Sequence, residues 1–134
     1  MKIAATVVSS IAGHEVTVRT GESSQSLAVP AKAGGAGSGV NGGEFLMLAL
    51  ATCFCNDLFR EAKRLGIPID GVEVVATADF PDIGLAARGI AYSATVHSPA
   101  SAADVQRLLR ETDAVAEVHN TLRSGVPVRL LAPH

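Results

Sequence analysis

The pattern of hydrophobic and polar positions near the N-terminus predicts short, half-buried strands. Val16 and Val18 alternate with Glu15, Thr17 and Arg19, and this period of two is typical of a strand with one face in a core. Glycine-containing turns separate the apolar segments, so consecutive strands are expected to pair antiparallel. The predicted strands of this first part are residues 2–8, 14–20 and 25–29.

A long helix is predicted over residues 44–65. Residues 45–55 are apolar except for Thr52, which indicates that this half is enclosed on every side. The second half is charged and becomes basic towards its end, as the helix dipole favours. Gly66 and Pro68 then form a stop signal. The acidic side chains of the chain are expected to lie on solvated faces and in turns.

The rest of the chain predicts two more strands, two helices and a last strand. The strands cover residues 71–78 and 88–97, and Ser101 with Asp104 predicts the start of a helix. A further helix is expected over residues 113–122 and a final strand over 126–131. With no internal repeat, residues 1–134 are interpreted as a single α+β domain whose antiparallel strands surround the long central helix.

Composition and charge exclude several function classes. The chain is 48% hydrophobic and 18% charged, and this apolar excess indicates burial against a second subunit. The net charge of −2, with scattered basic residues, makes nucleic acid and anionic membranes poor partners. No unbroken apolar run reaches the 18 or so residues that cross a bilayer, so no membrane span is expected.

The two cysteines, Cys53 and Cys55, are expected to be free thiols. Two residues apart on a helix, they point about 200° from each other and cannot form a disulfide without unwinding it. Free thiols indicate a reducing compartment, and the cytoplasm is the simplest one.

Cofactor and metal sites are not expected. Residues 37–42 match the G-x-G-x-x-G dinucleotide pattern, but a strand meander precedes them instead of a βαβ unit, which favours a flexible loop. The four histidines are not spaced to share a helix face, and no second cysteine pair accompanies them.

Cys53 and Cys55 therefore remain as the candidate reactive groups, with two interpretations open. A free cysteine is commonly an inert, buried apolar residue with a raised pKa. A reactive thiol needs a nearby cation and a path for substrate. Asp57, one turn beyond Cys53, has the wrong sign of charge for activation.

Several motifs resemble the OsmC/Ohr family of osmotically inducible and organic hydroperoxide resistance proteins. The resemblance rests on residues 41–58 (NGGEFLMLALATCFCNDL), 63–67 (KRLGI), 70–74 (DGVEV) and 118–122 (VHNTL), the last followed by GVPV at 125–128. The order of the predicted elements is similar too. The resemblance implies an intertwined homodimer with the two long helices at its centre, and a dithiol peroxidase.

Carried over to this chain, the resemblance places Cys53 at the peroxide-attacking position. An arginine on the N-terminal strands, for which Arg19 is the candidate, would stabilise the thiolate. Glu44 is the candidate for the glutamate that orients this arginine, although the family position itself falls on Gly43. The family's second, resolving cysteine is missing, because Ala116 stands in its place.

Two function hypotheses follow. In the first, Cys53 reduces an organic hydroperoxide and an external thiol resolves the sulfenic acid. In the second, the chain is a catalytically degenerate family member that binds a small ligand or serves in stress without peroxidase activity. Cys55 is expected to be a packing residue, and His119 to cap or pack near the last helix.

Overall fold

The computed structural model describes residues 1–132, which cluster into two units, Met1–Phe45 and Leu46 onward. The first unit holds a three-stranded antiparallel meander in the order β1 (Ile3–Ser10), β2 (Gly13–Thr20), β3 (Ser23–Leu27). Register pairs Val7 with Val16 and Val18 with Gln25. The predicted meander is confirmed, although β3 begins and ends two residues earlier than expected because its pairing with β2 starts directly after the turn.

The glycine-rich segment folds back on the chain before it. An isolated bridge joins Ala31 to Ser38, and the Gly39 amide donates to the Pro30 carbonyl at 2.8 Å. A Cβ at Gly39 would lie 3.1 Å from that oxygen, so a side chain would crowd the turn. Glycine is therefore needed at this position for a close backbone approach.

The long helix, α1, covers Gly42–Leu65 and ends as the sequence predicts. Gly66 adopts a positive φ, its amide donates to the Lys63 carbonyl, and the Ile67 amide donates to the Ala62 carbonyl. This pair of bonds is a Schellman motif, which satisfies carbonyls that the helix end would leave free.

In the second unit, α1 packs with β4 (Gly71–Asp79), β5 (Arg88–His97), α2 (Ala102–Val115) and α3 (Glu117–Arg123). β4 and β5 form an antiparallel pair with Val74 opposite Ala94. Ser101 caps α2 by accepting from the Asp104 amide, as predicted. The core consists of buried residues from α1, α2 and the segments that follow them: Phe54, Leu58, Ala62, Ile67, Leu108 and Ala116.

Two expectations about the C-terminal part are wrong. A break at Ala116, whose backbone is extended and whose side chain is fully buried, separates α2 from α3, so no helix begins at residue 113. Residues 126–131 form no strand, since no described segment pairs with them. Val128 and Leu130 are 98% and 100% exposed, so the apolar alternation there has no core to face.

One face of α1 is buried in the single chain, and it includes acidic residues. Leu50, Phe54 and Leu58 lie there together with Asp57 and Glu61, which are only 5% and 6% exposed. The expectation that the acids lie on solvated faces is wrong for these two, because arginines pair with them. Apolar side chains on the opposite face of α1 are exposed to solvent in the single chain. Burial of the helix on every side would require a second chain and stays a prediction.

Within residues 1–132, α1 is also long and apolar enough, by length and average composition, to cross a membrane. The core helix of a globular protein can have the same length and average composition. The second half of α1 carries many charged residues, as the solvent-facing side of such a core helix does. The expectation of no membrane partner stays a prediction.

Truncation of a core leucine tests this packing. Leu108→Ala is expected to lower the free energy of unfolding by about 2–5 kcal/mol, because Leu108 is fully buried and its loss leaves a cavity. Leu85→Ala is the matched control, since Leu85 is 59% exposed and should change stability by less than about 0.5 kcal/mol. Urea unfolding curves measure both, and equal losses would contradict the assignment of the core.

Candidate functional site

Cys53 lies on α1 with its thiol between two carboxylates. Its Sγ is 3.6 Å from Oδ2 of Asp57, one turn further along the helix, and 3.7 Å from Oε2 of Glu117, the first residue of α3. Cys53 itself is partly buried. The thiol is the donor in both contacts, so the geometry is that of a protonated thiol facing two acceptors.

Arg60 joins the two carboxylates from the other side. Its Nη1 lies 3.1 Å from Asp57 Oδ1 and 3.1 Å from Glu117 Oε1, and its Nε lies 3.4 Å from Glu61. Residues 53, 57 and 60 share one face of α1 because they are spaced by four and three positions. We refer to Cys53, Asp57, Arg60 and Glu117 as the thiol–carboxylate cluster.

The surroundings of Cys53 raise its pKa. Burial is the largest cause, and the negative charges of Asp57 and Glu117 act in the same direction. A hydrogen bond from the Val118 backbone amide lowers the pKa but does not outweigh these effects. At neutral pH the resting group is therefore the thiol, which is a weaker nucleophile than the thiolate.

Between about pH 2 and pH 6 the two carboxyl groups hold one proton between them, and above that range both are mainly ionised. Burial and the hydrogen bond with Glu117 raise the pKa of Asp57 to about 6, while the same hydrogen bond and Arg60 lower the pKa of Glu117 to about 2. Two acids this close do not both ionise readily, and their titration belongs to the pair. Because Asp57 is the more buried acid, it is the one that takes up the proton as the pH falls towards 6.

The same cluster contains potential metal ligands. The ligating atoms of Cys53, Asp57 and Glu117 lie within 4.8 Å of one another. Arg60 already supplies positive charge to both carboxylates, so a cation would have to displace it. The expectation of no resident metal stays a prediction.

The other two predicted catalytic residues belong to the first unit. Glu44 accepts from the Asn41 amide at 3.0 Å, and the Glu44 amide donates to Asn41 Oδ1 at 2.8 Å, forming a capping box at the start of α1. Arg19 is exposed on β2. A local structural role is thus visible for Glu44, and the roles of both residues beside Cys53 remain predictions.

His119 is packed near the last helix, as expected, whereas Cys55 is only partly buried and its packing role stays a prediction. Cys55 is a free thiol that borders Thr52 and Val74 at a shallow depression. The His119 ring is buried and packs edge-on against Tyr92 at a centroid distance of 4.4 Å. Neither ring nitrogen of His119 has a hydrogen-bond partner among the described residues, and burial lowers its pKa, so the ring is neutral.

Sequence reasoning missed Arg60 and Glu117. Arg60 follows Cys53 by seven residues, which places it on the same helix face, and this spacing could have identified it. Glu117 directly follows Ala116, where the family's resolving cysteine would stand. Its approach to Cys53 is a contact between residues 64 positions apart, which sequence periodicity does not show.

Removal of the Glu117 charge tests the electrostatics of the site. In a Cys55→Ser background, Glu117→Gln is expected to speed the alkylation of Cys53 by iodoacetamide several-fold at neutral pH, because a negative charge beside the thiol is lost. Glu111→Gln is the control, since Glu111 pairs with Arg64 and Arg107 and lies outside the cluster. A rate that both variants leave unchanged would contradict the inferred influence of Glu117.

Comparisons with known proteins agree with this architecture. A family model described as OsmC-like protein matches residues 35–131. No curated protein sequence matches the chain. Among solved structures, an OsmC-like protein from Mycoplasma pneumoniae is similar at 21% identity and a TM-score of 0.69, covering 93% of this chain and 89% of that one.

Two further structures share the fold. An organic hydroperoxide resistance protein OsmC from Legionella pneumophila has 19% identity and a TM-score of 0.62, with coverage of 92% of this chain and 90% of that one. The organic hydroperoxide resistance protein OhrB of Bacillus subtilis has 20% identity and a TM-score of 0.56, with 93% of each chain covered. At these identities the structures establish the α+β fold, and the family match covers most of the sequence. The chain therefore belongs to the OsmC-like protein family.

Proposed function

We propose that this protein is a thiol-dependent redox protein that reduces organic hydroperoxides through Cys53, with an external thiol as the reductant. The observation that carries the proposal is the placement of Cys53 on the long helix of this family fold, beside groups that can accept and return its proton. Structural neighbours described as organic hydroperoxide resistance proteins support the choice of substrate class.

In the first step, the Cys53 sulfur attacks the terminal oxygen of the hydroperoxide. An S–O bond forms, the O–O bond breaks, Cys53 is oxidised to a sulfenic acid, and the substrate leaves as an alcohol. The thiol proton is accepted within the cluster, and the alkoxide needs one proton to leave. Asp57, with a pKa of about 6, is suited to this transfer because it can both accept and donate near neutral pH.

Arg60 supports the transfer without touching the sulfur. Its guanidinium contacts both carboxylates, so it stabilises whichever of them is ionised while the proton moves. Arg19 remains the candidate for direct stabilisation of the thiolate, as the family resemblance implies. The alternative candidate is an arginine of a partner subunit in the proposed homodimer.

The oxidised cysteine requires a second thiol from outside the chain. Ala116 occupies the resolving position, and Cys55 is the remaining cysteine, two residues from Cys53 on the same helix. An external thiol would attack the sulfenic acid, releasing water and forming a mixed disulfide. A second external thiol would then regenerate Cys53.

A second candidate function is binding of a small ligand without peroxidase activity. It is favoured by the raised pKa of Cys53 and by the absence of a resolving cysteine. A cavity of about 240 Å³ could receive such a ligand in the second unit. It is lined by Leu50, Ile90, Tyr92, His119, Leu122 and Arg123.

We further propose a cytoplasmic homodimer. Leu48 and Phe59 of α1 are 55% and 47% exposed in the single chain, and a second copy would remove this apolar surface from water. Free thiols fit a reducing compartment. Sedimentation of the purified chain as a monomer would contradict the homodimer.

Peroxide consumption tests the main proposal. The wild-type protein is expected to consume cumene hydroperoxide in the presence of dithiothreitol, and Cys53→Ser is expected to reduce the rate to the uncatalysed level, because a hydroxyl cannot form the sulfenic acid. Cys55→Ser is the matched control and should retain the rate. Equal consumption by wild type and Cys53→Ser would overturn the proposal and favour the ligand-binding alternative.

A further inference from the structure

Asp113, near the end of α2, joins three elements through one carboxylate. Its Oδ1 accepts a hydrogen bond from the hydroxyl of Tyr92 on β5. The same oxygen accepts from Nη2 of Arg123 on α3 at 2.6 Å, and the Asp113 backbone carbonyl accepts from Nη1 of Arg123 at 3.3 Å. Asp113 is therefore a fixed point between β5, α2 and α3.

These bonds matter because α3 is too short to hold its position alone. It has seven residues, and isolated helices of this length are unstable in water. It begins at the extended backbone of Ala116, and Asn120 ties it back to the Ala114 carbonyl at 3.0 Å. The clamp at Asp113 and Arg123 fixes its far end.

The near end of α3 meets Cys53. Glu117 receives the thiol contact at 3.7 Å, and the Val118 amide donates a hydrogen bond to the sulfur. Glu117 raises the pKa of the thiol and the Val118 amide lowers it, and the distance of both groups from the sulfur depends on the position of α3. Between the clamp and the thiol, His119 packs edge-on against the Tyr92 ring, which adds a second contact between α3 and β5.

We propose that Asp113 is a positioning residue for Cys53, acting through Tyr92 and Arg123 to hold the start of α3 against the thiol. This role rests on the proposed function only in taking Cys53 as the reactive group. Asp113 would change the reactivity of the thiol although it does not touch the sulfur.

The expected effect follows from the groups that α3 brings to the thiol. With the clamp removed, Cys53 loses contact both with Glu117, whose charge raises the thiol pKa, and with the Val118 amide, whose hydrogen bond lowers it, so both the pKa and the accessibility of the thiol change. The Asp113–Arg123 pair is about half exposed, and such pairs contribute little to global stability. Loss of the clamp should therefore alter thiol reactivity while the protein remains folded.

The test measures the alkylation rate of Cys53 by iodoacetamide as a function of pH in a Cys55→Ser background. Asp113→Ala and Tyr92→Phe are expected to shift the midpoint of the rate profile and to change the rate at neutral pH several-fold. Arg88→Gln is the control, because Arg88 pairs with Asp79 in an exposed salt bridge of the same unit away from the cluster. Arg123→Lys should lie nearer to wild type than Arg123→Gln, since lysine keeps the charge.

A double-mutant cycle tests whether Asp113 acts on Cys53 through Glu117. In a Glu117→Gln background, Asp113→Ala is expected to shift the midpoint by a different amount than in the parent, since part of its effect passes through Glu117. Full additivity, or unchanged midpoints in both Tyr92→Phe and Asp113→Ala with native circular dichroism, would overturn the inference. No peroxide is used, so this outcome is independent of whether the protein reduces hydroperoxides.

Discussion

The structure of the second unit depends on the pairing of two buried acids on the central helix. Asp57 and Glu61 lie on the face of α1 that also carries Phe54 and Leu58, where an unpaired charge would be costly. Arg60 and Arg64 lie at the edge of this face and pair with them. The same arginines reach Glu117 on α3 and Glu111 on α2, so neutralising α1 also fixes the helices beside it.

This arrangement determines the environment of Cys53. The thiol faces Asp57 and Glu117, and the nearby cation, Arg60, is shared among three carboxylates. Such a site keeps the proton on the sulfur at rest, because burial and the two carboxylates oppose a thiolate. This geometry fits a redox role if the thiol loses its proton as the sulfur attacks the peroxide. Arg60 pairs with the carboxylates and so does not stabilise the thiolate directly.

Much of the fold could be predicted from local sequence. Alternation defined the strands, and the Gly66–Pro68 stop and the Ser101 cap placed helix boundaries because their chemistry is local. Residues 126–131 were misassigned because alternation alone does not supply a pairing partner. The break at Ala116 was missed because an extended alanine has no special residue type to mark it.

In the candidate site, too, local contacts could be predicted from the sequence and contacts between distant residues could not. Cys53 and Asp57 are one helical turn apart, so their proximity could be anticipated, and Arg60 lay within the same reasoning. Glu117 could not be found like this, since its approach depends on how α3 docks against α1. The predicted catalytic roles of Arg19 and Glu44 come from the family resemblance. The position of Arg19 on a strand and of Glu44 at a helix cap does not indicate a catalytic role.

The most direct test of the account is the ionisation of Cys53 itself. An ultraviolet absorbance titration of the thiolate in the Cys55→Ser variant should place the Cys53 pKa above the ordinary cysteine value of about 8.5, because burial and two carboxylates oppose the negative charge. A midpoint well below that value would show that a cation governs the sulfur and would contradict the thiol–carboxylate cluster as the resting state.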